Sequence, residues 1–331
     1  MDVLLKKKVD LMVENYYELK KAFKWEYTLV HHFGAMVNAM GEKAVDKDKI
    51  EEIKKYIKAE TKWSSYFRGV NSYIIANLLC SEEDYMRTFQ NILEVYEYME
   101  RIGFKNSNYL PLAAYTLVKE VPRDQWNYRI KRMKEFYESM KKNHFWLTSH
   151  DDYVFAAVLA TTDLEVAKTS EKIEDCYGTL NKKGFYKGND LQTLSHILAL
   201  GEEGIEEKCS KAIKLNAALL DKECKLKYTG LATLGVLTLI TTDIDKMVYE
   251  IKEVYDYLYE KDGYGFWSLD KSMRTVLAAN LVADFYVNGI KNGILKVTLG
   301  NSINAIIIAQ QQATIAAVCA ASAAAASSSS S

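Results

Sequence analysis

Short apolar segments rich in small residues recur along this chain at a nearly constant interval, and few folds accommodate that pattern. YIIANLLC begins at Tyr73, YLPLAAYTLV at Tyr109, YVFAAVLA at Tyr153, LQTLSHILAL at Leu191 and LATLGVLTL at Leu231. MRTVLAANLVAD from Met273 and the weaker VHHFGAMVNAM from Val30 fit the same slot. From Tyr73 onward the starts lie 36, 44, 38, 40 and 42 residues apart. A period of this size is the signature of stacked helical hairpins, because one hairpin alone does not bury its apolar face.

Between these segments run longer stretches whose apolar residues return at three- and four-residue steps, the mark of a helix with one buried face. Ile50, Ile53 and Ile57 follow this rule, as do Phe89, Leu93, Tyr96 and Met99. Further along come Ile130, Met133, Tyr137 and Met140, then Met247, Ile251, Val254 and Leu258. Ser81 with Asp84, Thr162 with Glu165 and Thr242 with Asp245 have capping-box spacing at their starts. Gly103-Phe104 and Gly184-Phe185 suit helix ends followed by an anchoring ring. With only two prolines, Pro111 and Pro122, little interrupts long helices.

The expected fold is all-α: tandem helical hairpins with short apolar helices inside and longer amphipathic helices outside. An open α-solenoid and a closed α/α toroid of about six hairpins fit the spacing equally. Residues 1–300 form one repeat domain with hairpin starts near 30, 73, 109, 153, 191, 231 and 273. Residues 301–331 form an uncharged Ala/Ser-rich helix and low-complexity tail, and no charge occurs after Lys296. Asn304 and Gln310–Gln312 are costly at a bilayer centre, so this tail is expected to pack on the repeat, with membrane association through it as the alternative.

Charge excludes one class of partner. The 43 basic and 44 acidic residues are interspersed along the chain, so nucleic acid is not expected. Five cysteines without a CxxC pair indicate free thiols in a reducing compartment, and no signal-peptide pattern opens the sequence; both imply a cytoplasmic protein.

In an array of hairpins all loops leading into the apolar helices share one end, and the reactive residues collect there. Arg68, between an aromatic and Gly69, could clamp a carboxylate or phosphate, or simply pair with an acid of a neighbouring repeat. Ser149 to Asp152 reads as a capping box, with an acid–base or metal role for Asp151 or Asp152 as the competing reading. His144 and His196 with Asp151 are the donors a zinc ion would need, yet neither histidine has HExxH or CxxC-type spacing, and no cofactor is expected. Tyr109, Gln192 and Trp267 complete the candidate binding residues. At His31-His32 at most one imidazole is expected to be buried. No P-loop, GxGxxG or GxSxG motif is present.

Several phrases together resemble the bacterial family DUF4003, a domain of unknown function. They are SSYFRG (Ser64–Gly69), MKKNHFWLTSHDDYVFAA (Met140–Ala157), QTLSHILAL (Gln192–Leu200), LATLGVL (Leu231–Leu237) and IIIAQQQATIAAV (Ile306–Val318). The resemblance spans roughly residues 1 to 320. It implies a bacterial, cytoplasmic protein with no established activity, supplies no catalytic residues, and implies that the tail belongs to the protein.

The functional expectation is a module that binds a protein or peptide along the inner helices and their loops, since aromatic and Arg side chains make binding hot spots. The alternatives are an α/α-toroid enzyme using Asp151, Asp152, His144, His196 and Arg68, and a protein held peripherally at a membrane by its tail.

Overall fold

The computed structural model describes residues 1–227 and 230–291, so the segment 301–331 lies outside the described residues. Among those residues there are fourteen α-helices, one 3-10 turn and no strand. The odd-numbered helices are α1 (Val3–Ala22), α3 (Lys47–Glu60), α5 (Tyr85–Arg101), α7 (Trp126–Asn143), α9 (Val166–Lys182), α11 (Ile205–Asp221) and α13 (Ile244–Tyr259). The even-numbered ones are α2 (Thr28–Met40), α4 (Val70–Leu79), α6 (Leu110–Glu120), α8 (Asp152–Ala160), α10 (Asn189–Leu198), α12 (Gly230–Ile240) and α14 (Lys271–Lys291).

The two sets differ in burial as their patterns dictate. In α3 only Ile50, Ile53 and Ile57 are buried, whereas every residue of α8 is. The stripe on α7 departs from the expected one: Phe136 is buried and Tyr137 only half-buried. Likewise Ile92 replaces Leu93 on α5. Neighbouring positions on a helix face are equivalent by period, and packing chooses between them.

The helix starts are simpler than capping boxes. Asp84 caps α5 by accepting from Arg87 N at 2.9 Å, and Asp243 caps α13 through Lys246 N at 3.0 Å. Ser81 and Thr242 are not the caps. An acid directly before the first helical residue reaches the orphan N–H itself and carries the charge the helix dipole favours. At α9 the Thr162 hydroxyl turns back to donate to Leu159 O, and Glu165 makes no side-chain cap. The helix ends match the Gly-aromatic pattern. Gly103 and Gly184 both have φ +99°, and Phe104 N and Phe185 N donate back to Met99 O and Leu180 O at 3.0 and 3.1 Å.

Buried cations close the other ends of the even helices. Lys8 of α1 donates to Met40 O in the last turn of α2, Arg129 of α7 to Thr162 O after α8, and Lys208 of α11 to Gly201 O after α10. Each satisfies terminal carbonyls that would otherwise be unpaired in the interior. Lys8 is also ion-paired to buried Asp284 of α14.

Odd helices pack on the odd helices beside them, and even helices pack on even ones at α2–α4, α6–α8, α8–α10, α10–α12 and α12–α14. The first helices also meet the last: α1 touches α13 and α14, and α2 touches α14. Tyr257 of α13 donates to Asp10 of α1, and the Met1 amino group lies 2.5 Å from Glu253. Gly263, at φ +79°, lies against Tyr16, where a Cβ would sit 2.2 Å from the ring. Both His31 and His32 are buried here, contrary to the expectation of at most one. His32 stacks on Tyr16 at 4.2 Å, and burial pulls its pKa down to about 3.

Candidate functional site

The loops that run from odd to even helices are bonded to the adjoining helix ends of neighbouring hairpins. Asn71 Nδ2 donates to Asn108 O at 3.0 Å, Asn189 Nδ2 to Asp151 at 3.3 Å, and Lys271 pairs with Glu223 at 3.0 Å. Lys20 at the end of α1 lies 3.9 Å from Asp262 in the α13–α14 loop. One end of the molecule is therefore built from these loops, and the sequence-nominated residues are distributed over it.

Arg68 is committed within its own hairpin. Its guanidinium donates to Lys58 O at 2.6 Å, to Thr61 O and to the Thr61 hydroxyl, closing the end of α3. It pairs neither with a neighbouring repeat's acid nor across the loop end. Beside it lies a groove of about 430 Å³ lined by Glu51, Lys54, Lys55, Lys58, Arg68, Gly69 and Ser72.

The α7–α8 and α9–α10 loops bring several of the other candidates together. Asp152 is buried and accepts from Ser149 N at 2.9 Å, half of the expected box. Burial, then the neighbouring Asp151 charge, push its pKa up to about 8. Half-buried Tyr109 is pushed up to about 12, by burial and then by Asp151 and Asp152. Gln192 Nε2 donates to the Thr148 hydroxyl at 3.0 Å, while its Oε1 is buried with no partner.

His196 lies one turn beyond Gln192, fully buried, and neither ring nitrogen has a hydrogen-bond partner. Burial, then the charge of His144, bring its pKa down to about 3, so it is neutral. His144 packs on Tyr177 with its Nε2 3.0 Å from Glu174 Oε1, a close approach not aligned as a hydrogen bond. Among the described residues no three or more His, Cys, Asp or Glu are grouped to hold a metal ion.

Trp267 is almost fully exposed, and it is one of a set. Trp25, Trp63, Trp146, Tyr186 and Trp267 have relative exposures between 86% and 101%, each in a different odd-to-even loop. Tyr27, Tyr66, Phe145 and Phe266 are exposed beside them. Among the described residues, all nine of the exposed large apolar side chains that lie outside the helices are in these loops. The remaining tryptophan, Trp126, is buried on α7, its indole N–H donating to Val121 O at 3.0 Å. Of the rim, sequence reasoning singled out only Trp267. The missed signal was recurrence: a tryptophan in four of the seven loops that lead into even helices.

Charge separates the two ends as sharply. The odd-to-even loops hold ten Lys or Arg against six Asp or Glu, and the even-to-odd loops hold two against eleven. No helix among the described residues is long and apolar enough to cross a membrane.

The sequence family described as protein of unknown function (DUF4003) matches residues 15–312. The uncharacterized protein YeaA of Bacillus subtilis (strain 168) is 26% identical over 316 residues, which cover 92% of each chain. No solved structure matches.

Proposed function

The chain belongs to the DUF4003 family, and for it we propose a docking module without chemistry of its own: one repeat domain over residues 1–300, closed as an α/α toroid of seven hairpins, whose odd-to-even loop end meets the partner. In this reading the even helices line the inside and the odd helices the outside. Its closure is supported by the packing of α1 on α13 and α14 and of α2 on α14. The even helices are mostly buried, so in this reading the contact surface moves from inner helices plus loops to the loop end.

The observation that carries the reading is the rim of exposed rings. A monomeric protein seldom leaves several tryptophans in water, and such a grouping marks an interaction surface. The enzyme alternative draws less support. Asp152 is buried and engaged with Ser149 N, His196 is sealed away from solvent, and Arg68 is occupied by carbonyls of its own hairpin.

Oxidative footprinting in living cells and on purified protein tests this. Trp63, Trp146 and Trp267 are expected to be protected in cells and reactive when purified, while exposed Tyr128 and Tyr249 on the odd helices react equally in both. Equal reactivity of the three tryptophans in both settings removes the docking reading.

A further inference from the structure

We infer that the occupant of the loop end is an anionic lipid surface, an inference that rests on the docking reading and assigns its partner. Three features of the rim distinguish a bilayer from a folded protein.

The first is the kind of ring. Four of the chain's five tryptophans are on this face, with Tyr27, Tyr66 and Tyr186. Indole and phenol rings combine an apolar body with a polar edge, and they concentrate at the headgroup level of bilayers. The second is distribution. The rings stand singly or in adjacent pairs, as in Phe145–Trp146 and Phe266–Trp267, spread over five loops. A broad partner that touches every loop at once suits this arrangement better than one anchor in one pocket.

The third is the cation. Nine of the ten basic residues of these loops are lysines, and the one arginine, Arg68, turns back onto α3. Protein interfaces enrich arginine and deplete lysine, whereas lysines beside apolar anchors are the mark of attraction to anionic headgroups. Lys55 and Lys58 line the groove beside Arg68 and add to this positive surface, while Lys54 in the same groove is paired with Glu26 at 2.9 Å. The opposite end, with eleven acids against two cations, is repelled by such a surface. Charge therefore orients the molecule with its rings toward the lipid.

Vesicle binding by the full chain reads this directly, because four of its five tryptophans are on the rim. Mixed phosphatidylglycerol–phosphatidylcholine vesicles are expected to shift the emission to the blue, and brominated lipid to quench it. Phosphatidylcholine alone should bind weakly, and binding should fall steeply with salt. The triple variant Trp63→Ala, Trp146→Ala, Trp267→Ala should lose about tenfold or more in partition with an unchanged circular dichroism spectrum. Lys62→Glu with Lys187→Glu and Lys225→Glu should do the same, and Tyr128→Ala on α7 should bind like wild type.

No partition onto anionic vesicles, or partition indifferent to the ring and charge variants, overturns the lipid assignment. If the tryptophans are nonetheless protected in cells, the docking reading stands and the rim belongs to a protein partner. If they are not, both fall.

Discussion

The two ends of this molecule are made by the same alternation of helices, yet they carry their polar and apolar groups for different reasons. At the even-to-odd end the groups are accounted for by helix chemistry. Asp2, Asp46, Asp84 and Asp243 cap the odd helices, and Lys8, Arg129 and Lys208 satisfy carbonyls where even helices finish. At the odd-to-even end part of the charge has the same origin, since Lys20, Lys21, Lys141 and Lys142 sit in last turns where the dipole favours cations. The exposed rings have no such origin. Helix ends need hydrogen-bond partners and charge, not indoles, so the comparison separates an end explained by folding from one that folding leaves unexplained.

Four measurements break or sharpen that contrast. The largest effect belongs to Lys8→Met, which removes the cation facing buried Asp284 and the donor to Met40 O. A loss of about 3–5 kcal/mol in urea unfolding is expected, as for other broken buried pairs. A loss under about 1 kcal/mol would mean that this end does not anchor the fold as described.

Next comes the underside of the rim. Gly263→Val places a side chain at φ +79° and into the Tyr16 ring, and should cost about 3 kcal/mol through strain and overpacking. Full stability would show that the α13–α14 loop can leave α1 without consequence.

Asp152 tests burial at the same end through pH. Its folded pKa, about 8, lies above the ordinary carboxylate value, so the unfolded chain releases the proton first as pH rises. Its contribution is fully present below pH about 4 and is lost as pH rises toward about 8, with a limiting slope of about 1.4 kcal/mol per pH unit. Asp152→Asn should flatten that part of the stability profile. A variant that keeps the wild-type slope would show that Asp152 is ionised in the fold.

The smallest expected effect is the most telling. Trp63→Ala, Trp146→Ala and Trp267→Ala should each change unfolding free energy by no more than about 0.5 kcal/mol, because exposed rings leave no cavity behind. A drop of about 2 kcal/mol for any of them would make that ring structural and shrink the docking face.

Much of this was legible residue by residue, and the exceptions have physical causes. Helices terminate near Gly103 and Gly184 because a residue with positive φ and an inward ring is a local device. Caps were legible only to within a few residues, since Ser81 and Asp84 are both good caps and the helix start chose the acid. Burial of His31 together with His32 was not legible. His32 is covered by Tyr16 and by Tyr264, which comes from the far end of the chain. Arg68 was visible as a candidate, but its choice of Lys58 O and Thr61 O depends on how the α3–α4 loop folds back.

By itself the sequence determined that the described chain is helical, and that helices with one apolar face alternate with helices apolar all round. Both follow from periods of three and four residues, which are written locally. Tertiary structure alone decided which tryptophan is core and which is rim. Trp126 and Trp146 each stand near an end of α7, and only the first meets a neighbouring carbonyl and burial. It also sorted charges that look evenly mixed along the chain into a basic end and an acidic one. Chain neighbours at opposite ends of a helix are far apart in space, and loops many residues apart become adjacent, so exposure and local charge are properties of the assembled ends.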